Sequence, residues 1–458
     1  MTAGGTERSP HPATRVELFI GKGGVGKTTL ACATALAYAR NGRRVLLASL
    51  DQAHSLGDAL GYRLRHGATP AVATLPLPMF HSPAPAFADV RDPDAEPALD
   101  VIEVDSLALL EDRFRQVLVM ASGAGHEHGF DLGALDPAEL TGLPGVQELL
   151  ALLEITRFAN DARWDVIVVD CPPSADMLRI VTMPDTVLGY LERVWPAHAR
   201  TMEAIGADFR KAVLAVTVEQ IVQAVTEARD LLADQARTGA RLVTAAELVA
   251  VAESARVRSA AALLGIRLDA VLVNKVLPEM PASDPVEPPH PAVQWYFNRR
   301  GEQLDVAGEL RKRLHGVPVQ VVAHAGAEPV GIGSLAALSY AVDASGNWVG
   351  GRPVPMLGTD ADSVLPGPET NTAAEPVVRL ESGAGVHSVF AMRMHLPVVD
   401  SSTLRLGRVE DDLIVGADGV RRRLRLAPVL RRCTVEAAEL DGDHLVIRFR
   451  PDPEVWPK

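Results

Sequence analysis

The stretch that most constrains this chain is Gly21-Lys22-Gly23-Gly24-Val25-Gly26-Lys27-Thr28-Thr29. An apolar β-type run from Val16 to Ile20, broken only by Glu17, leads into it, and an alanine-rich helical stretch from Leu30 to Arg40 follows. Strand, glycine loop and helix in that order predict a phosphate-binding P-loop in an α/β fold with a mostly parallel sheet. Glycines let backbone N–H groups turn inward around phosphate, and the start of the helix adds a partial positive charge. Here Gly21 to Gly26 would supply the cradle and Lys27 would reach the β- and γ-phosphates of a nucleotide. The Thr28 hydroxyl would ligate Mg²⁺, and Thr29 closes the nucleotide-binding loop. A glycine-rich turn that binds nothing needs neither the GKT core nor both flanking elements.

With 458 residues the chain exceeds one ordinary core, so two or more domains are expected. A formal charge of −13 argues against nucleic acid as a main partner. No apolar run approaches the length of a membrane span, and residues 1–14, read as a disordered tail, hold no hydrophobic signal core. Cys32, Cys171 and Cys433 lie far apart with no CxxC pair, which suggests a reducing cytoplasm without disulfides or structural zinc. Any membrane contact would be peripheral.

Further chemistry falls at predicted strand ends. Arg44 to Ser49 reads as a buried strand, and Asp51 follows at the edge where parallel sheets bind ligands. It either faces the nucleotide or caps the next helix. Trp164 to Val169 ends in Asp170, a carboxylate placed to hold Mg²⁺ through water. Leu268 to Val273 leads to Asn274, whose amide suits a purine edge or a turn. Tyr62 to Pro97 reads as an irregular surface loop. His126-Glu127-His128 reads as a solvated turn in preference to a metal site, and Cys171 as a small buried apolar residue.

A P-loop needs only its second lysine, and the extra Lys22 makes this one resemble the "deviant" Walker A of the ParA/MinD/ArsA ATPases. Asp51 to Leu60 (DQAHSLGDAL), Leu143 to Glu148 (LPGVQE) and Val273 to Pro278 (VNKVLP) are similar to segments of the ArsA/GET family, with Gln52 standing where that family has proline. Asp170 to Arg179 (DCPPSADMLR) keeps only part of the family's switch II, and DCPPS looks more like ParA. The resemblance implies that Lys22 contacts phosphate across a homodimer interface, that Asp51 orients the attacking water, and that residues 54–58 form a nucleotide-sensing switch. It further implies that Asn274 reads adenine and that residues 184–236 are a helical insertion. Its apolar faces (Val187, Leu188, Leu191, Val194 and Trp195; Val218, Ile221, Val222, Val225 and Leu232) match helices that hold a hydrophobic client segment in GET ATPases. Core or dimer surface is the commoner fate of such faces.

Residues 15–342 thus read as the ATPase domain and 343–376, rich in Pro, Gly and Thr, as a linker. From 377 to 458 short alternating runs predict a β-sandwich, with a hairpin turn at Asp441-Gly442. The layout resembles an α-crystallin-type small heat-shock domain. Arg421, Arg422, Arg423 and Arg425 read as a solvated strand face. The function this implies is an ATPase that closes as a nucleotide-sandwich homodimer for tail-anchored membrane-protein targeting or chaperoning. The alternatives are the catalytic subunit of an arsenite-type anion efflux pump and, further off, a ParA/MinD-type positioning ATPase.

Overall fold

Along strand β1 (Arg15–Gly21), Val16, Leu18 and Ile20 pack into one apolar layer and Phe19 into the opposite one, all buried. A strand covered on both faces belongs in the middle of a layered α/β sheet, and β1 lies there. In this computed structural model the sheet has eight strands in the order β3-β4-β2-β5-β1-β6-β7-β8. They are β2 (Val45–Ser49), β3 (Ala73–Pro76), β4 (Ala98–Glu103), β5 (Val166–Asp170), β6 (Thr238–Ala245), β7 (Arg267–Val276) and β8 (Val319–Ala323). Every neighbouring pair is parallel except the edge pair β3–β4. The structure describes residues 13–51, 55–65, 71–77, 98–112, 115, 146–205, 209–280, 290–314, 317–344, 348–349, 352–353, 376–396, 399 and 401–456.

Helices cover both faces: α1 (Lys27–Arg40), α2 (Ser55–Leu60), α3 (Val146–Asn160), α4 (Ser174–Val194), α5 (Ala197–Ala204), α6 (Phe209–Ala233), α7 (Leu248–Leu264), α8 (Pro291–Arg313) and α9 (Ile332–Ala344). The alanines of α1 explain its position. Ala31, Ala33, Ala35, Ala37 and Ala39 are wholly buried, and their small side chains let the helix be covered on every side. The chain crosses from β5, on one side of β1, to β6 on the other, so the C-terminal edge of β1 is a switch point where a crevice opens.

Three expectations change. The stretch 62–97 is not wholly irregular, because Ala73–Pro76 pairs antiparallel with β4 and buries Leu75. Pro184, the expected start of the helical insertion, lies inside α4, which begins at Ser174 beside the Asp170 strand end. Within the expected linker, Trp348–Val349 and Arg352–Pro353 pair as a short ribbon, β9 and β10. Residues 1–12, Gln52 to His54, His126 to His128 and Leu143 to Gly145 lie outside the described residues.

The stripe on α6 is split. Val225 and Leu232 are core, Val218 and Val222 are half-buried, and Ile221 is exposed. On α4, Val187, Leu188 and Leu191 are half-buried, as is Trp195 just beyond its end, while Val194 is exposed.

The C-terminal residues form two antiparallel sheets: β11 (Val377–Ser382), β12 (Val389–His395), β17 (His444–Pro451) and β16 (Cys433–Asp441) in one; β13 (Arg405–Val409), β14 (Asp412–Ala417) and β15 (Val420–Arg425) in the other. They enclose Met392, Met394, Val415, Ile447 and Phe449. The expected hairpin is present, with Asp441 opposite His444 and Gly442 at φ 58°. Ala262 and Leu263 of α7 belong to this second core; Ser259 hydrogen-bonds to Asp418, and Arg422 Nη1 donates to the Leu263 carbonyl at 2.5 Å.

Glu17, the interruption in β1, is fully buried under α1. Tyr38 donates to it at 2.6 Å, and Arg241 and Arg15 pair with it at 3.0 and 3.3 Å. Burial alone would raise its carboxyl, yet the two guanidiniums and the phenol overcome that and hold it below its ordinary value. Removing one partner strands the charge. We expect Arg241→Met to destabilise the protein by about 3 kcal/mol, and Glu17→Leu with Arg241→Met to regain most of it. Chemical denaturation of the three proteins checks this.

Candidate nucleotide-binding site

Gly21 ends β1 at φ 149°, and a Cβ there would sit 2.2 Å from the Val243 carbonyl oxygen of β6. Only glycine allows that approach. Gly26 holds the other end of the loop in the left-handed region, at φ 94°, immediately before α1. The loop therefore presents its backbone at the N-terminus of α1, above the C-terminal ends of β5, β1, β6 and β7.

Lys27 is buried, and its Nζ donates to the Lys22 carbonyl at 3.2 Å, folded onto the loop it serves. Lys22 is exposed beside it. The Thr28 hydroxyl donates to Asp170 Oδ2 at 2.7 Å and lies 3.3 Å from the Ser55 hydroxyl at the start of α2. Asp170 is the last residue of β5 and fully buried, and its Oδ1 has no hydrogen-bond partner. Burial pushes its carboxyl up to about 6, against the pull of the Thr28 hydrogen bond and Lys27 and with a push from Asp51. A buried, unpartnered carboxylate oxygen next to a threonine hydroxyl is a donor set that suits a hard cation. Thr28 and Asp170 are the residues whose chemistry would fit Mg²⁺ there. Among the described residues there is no cluster of three or more His, Cys, Asp or Glu able to hold a metal.

Asp51 follows β2, half-buried, close enough to Asp170 for the charges to repel. Cys171 is wholly buried and its thiol is pushed up by that burial, which keeps it neutral and inert. At the end of β7, Asn274 is also buried. Its Nδ2 donates to the Val25 carbonyl at 2.8 Å and its Oδ1 accepts from the Lys275 N–H at 2.9 Å. The structure thus brings together Lys22, Lys27, Thr28, Asp51, Asp170 and Asn274 from four strand ends.

Two features escape a reading by residue type. Ser55 falls inside the expected switch segment, yet nothing in the sequence pairs its hydroxyl with Thr28. Lys275 donates to the Gly24 carbonyl at 3.0 Å from a backbone with φ 60°. Its only sequence signal is its place after Asn274.

The Asp170 carboxyl has consequences for stability. Its folded value near 6 exceeds the ordinary 3.8, so the unfolded chain ionises more readily and stability falls as pH rises between those values. At neutral pH the charge costs on the order of 2–3 kcal/mol. Asp170→Asn should therefore raise the melting temperature of the nucleotide-free protein at pH 7, with the gain fading below about pH 4. Differential scanning calorimetry across pH tests both parts.

Residues 14–75 and 83–343 match the family described as "Anion-transporting ATPase", and residues 388–449 match an "HSP20-like domain found in ArsA". The chain is similar to protein Rv2184c of Mycobacterium tuberculosis, 43% identical over 446 residues that cover 97% of each. It is similar to ATPase GET3 of Zygosaccharomyces rouxii, 25% identical over 68% of this chain and 86% of that one. With ATPase GET3B of Arabidopsis thaliana it shares 26% identity over 56% of this chain and 63% of the other.

Proposed function

The chain belongs to the ArsA family of anion-transporting ATPases, and on that premise we propose that it hydrolyses ATP with Mg²⁺ in a nucleotide-sandwich homodimer. The product of that cycle is a conformational switch used for membrane-protein targeting or chaperoning in the cytoplasm. The observation that carries the reading is the buried Asp170 carboxylate, bonded to the P-loop Thr28 by one oxygen and unpartnered at the other.

ATP lies along the P-loop backbone, and Lys27 exchanges the Lys22 carbonyl for the β- and γ-phosphates. Thr28 and Asp170 would hold Mg²⁺, which when bound would draw negative charge from the phosphate oxygens. Asp51 accepts a hydrogen bond from water and aims it in line at the γ-phosphorus, and Lys22 reaches the phosphates of the facing protomer. After cleavage, loss of the γ-phosphate frees α2, whose Ser55 adjoins Thr28, and α4, which starts four residues after Asp170. A movement at the phosphate is thereby carried along a 21-residue helix into the arm.

The arm supports the targeting reading. Tyr190 and Val194 of α4, Met202 of α5, Ile205 just after it, and Leu214, Val216 and Ile221 of α6 are all exposed. A run of large apolar side chains open to solvent suits a hydrophobic segment of a client. Among the described residues no helix is long and apolar enough to cross a membrane. The pump alternative is favoured by the family's description as anion-transporting. Against arsenite as its anion, Cys32, Cys171 and Cys433 each lie in a different apolar cluster.

Asp51→Asn should keep nucleotide affinity within about threefold and lower turnover by about a hundredfold or more; hydrolysis at the wild-type rate would remove Asp51 from the mechanism. Held in its ATP state, the variant should retain proteins with one terminal hydrophobic segment, identified by mass spectrometry. Recovery of a polytopic transporter would favour the pump.

A further inference from the structure

The cradle fixes which way a nucleotide lies, given the ATPase reading above. Thr28 and the open Oδ1 of Asp170 set the metal-bearing end of the triphosphate on the β5 side of β1. The other side of β1 belongs to β6, β7 and β8, so the nucleoside projects toward the C-terminal end of β7. There the β7–β8 register slips between Val273 and Val276. Lys275 stands in that slip, exposed between buried Asn274 and Val276, in a left-handed conformation that residues other than glycine rarely adopt.

A solvated lysine needs neither the backbone turn nor a partner. Lys275 has both. Its Nζ is held by the Gly24 carbonyl at 3.0 Å, and its Cε lies 4.0 Å from where a Cβ on Gly26 would be. The four-carbon stem is therefore laid against the P-loop and pinned at both ends, at the place where the base arrives. Beside it, Asn274 has spent one Nδ2 hydrogen on Val25 and one Oδ1 lone pair on Lys275. One donor and one acceptor of that amide remain for a base edge.

We propose that Lys275 determines base specificity: its stem and ammonium form one wall of the base pocket and take the flat face of a purine. The contact combines apolar cover with attraction of the cation to the ring. A pyrimidine offers less face and gains less.

The test compares the full-length protein with Lys275→Gly, which keeps the backbone turn without strain, and Lys275→Met, which restores the stem without the charge. Affinities for ATP, CTP and inorganic tripolyphosphate, each with Mg²⁺, are measured by titration calorimetry. Wild-type protein should prefer ATP to CTP. Lys275→Gly should lose about tenfold for ATP, erase most of that preference and leave tripolyphosphate within about twofold, with Lys275→Met in between. Equal loss for ATP and tripolyphosphate would make Lys275 a phosphate or loop-fixing residue, and no loss at all a solvated one; either overturns the proposal. Wild-type protein that binds neither ATP nor tripolyphosphate would instead overturn the ATPase reading beneath it.

Discussion

A carboxylate drawn out of water with a single hydroxyl for company is unstable as an anion, and Asp170 is in that position at the end of β5. Everything around it serves to keep it there. The central strand β1 places the P-loop and Thr28 over it, the alanines of α1 let the helix start close by, and β2 brings Asp51 alongside. The interior gives up solvation of one charge and leaves one of its oxygens without a partner. Glu17, on the neighbouring strand β1 and two register positions from Asp170, shows the opposite solution: its charge is offset inside the protein by two arginines and a tyrosine. One buried acid is finished and serves structure. The other is left open.

Much of this was legible because it is local. The loop from Gly21 to Thr29, the strands flanking it and the carboxylates at two strand ends are short patterns whose period and spacing survive without the fold. What was hidden depends on distant partners. Ala73–Pro76 has too few residues and too much proline around it to show a period, and it is a strand only because β4 offers an edge. Glu17 looks like a flaw in an apolar run until β6 brings Arg241 from more than two hundred residues on. The backbone turn at Lys275 leaves no trace in residue type, since glycine or asparagine is the usual sign of it. The helical stripes were visible, but the sequence does not tell where along α6 the core stops and solvent begins.

That last boundary matters for function. The same stripe is core near Val225 and Leu232 and open near Ile221, so one helix is anchored at one end and presents apolar surface at the other. With α4 starting beside Asp170 and running to Val194 with Pro184 inside it, the arm is joined to that strand end by helix instead of loop.

The contact between α7 and the C-terminal sheets has a different kind of consequence. Ala262 and Leu263 of α7 belong to the second core, and the Leu263 carbonyl is bonded by Arg422. The seam between the two parts is thus made of interior. A chain severed near residue 370 would bare apolar side chains on both fragments, each then prone to stick to itself or to its neighbours. Such halves cannot be shuffled freely between genes, and a substitution on either side of the seam must be answered on the other.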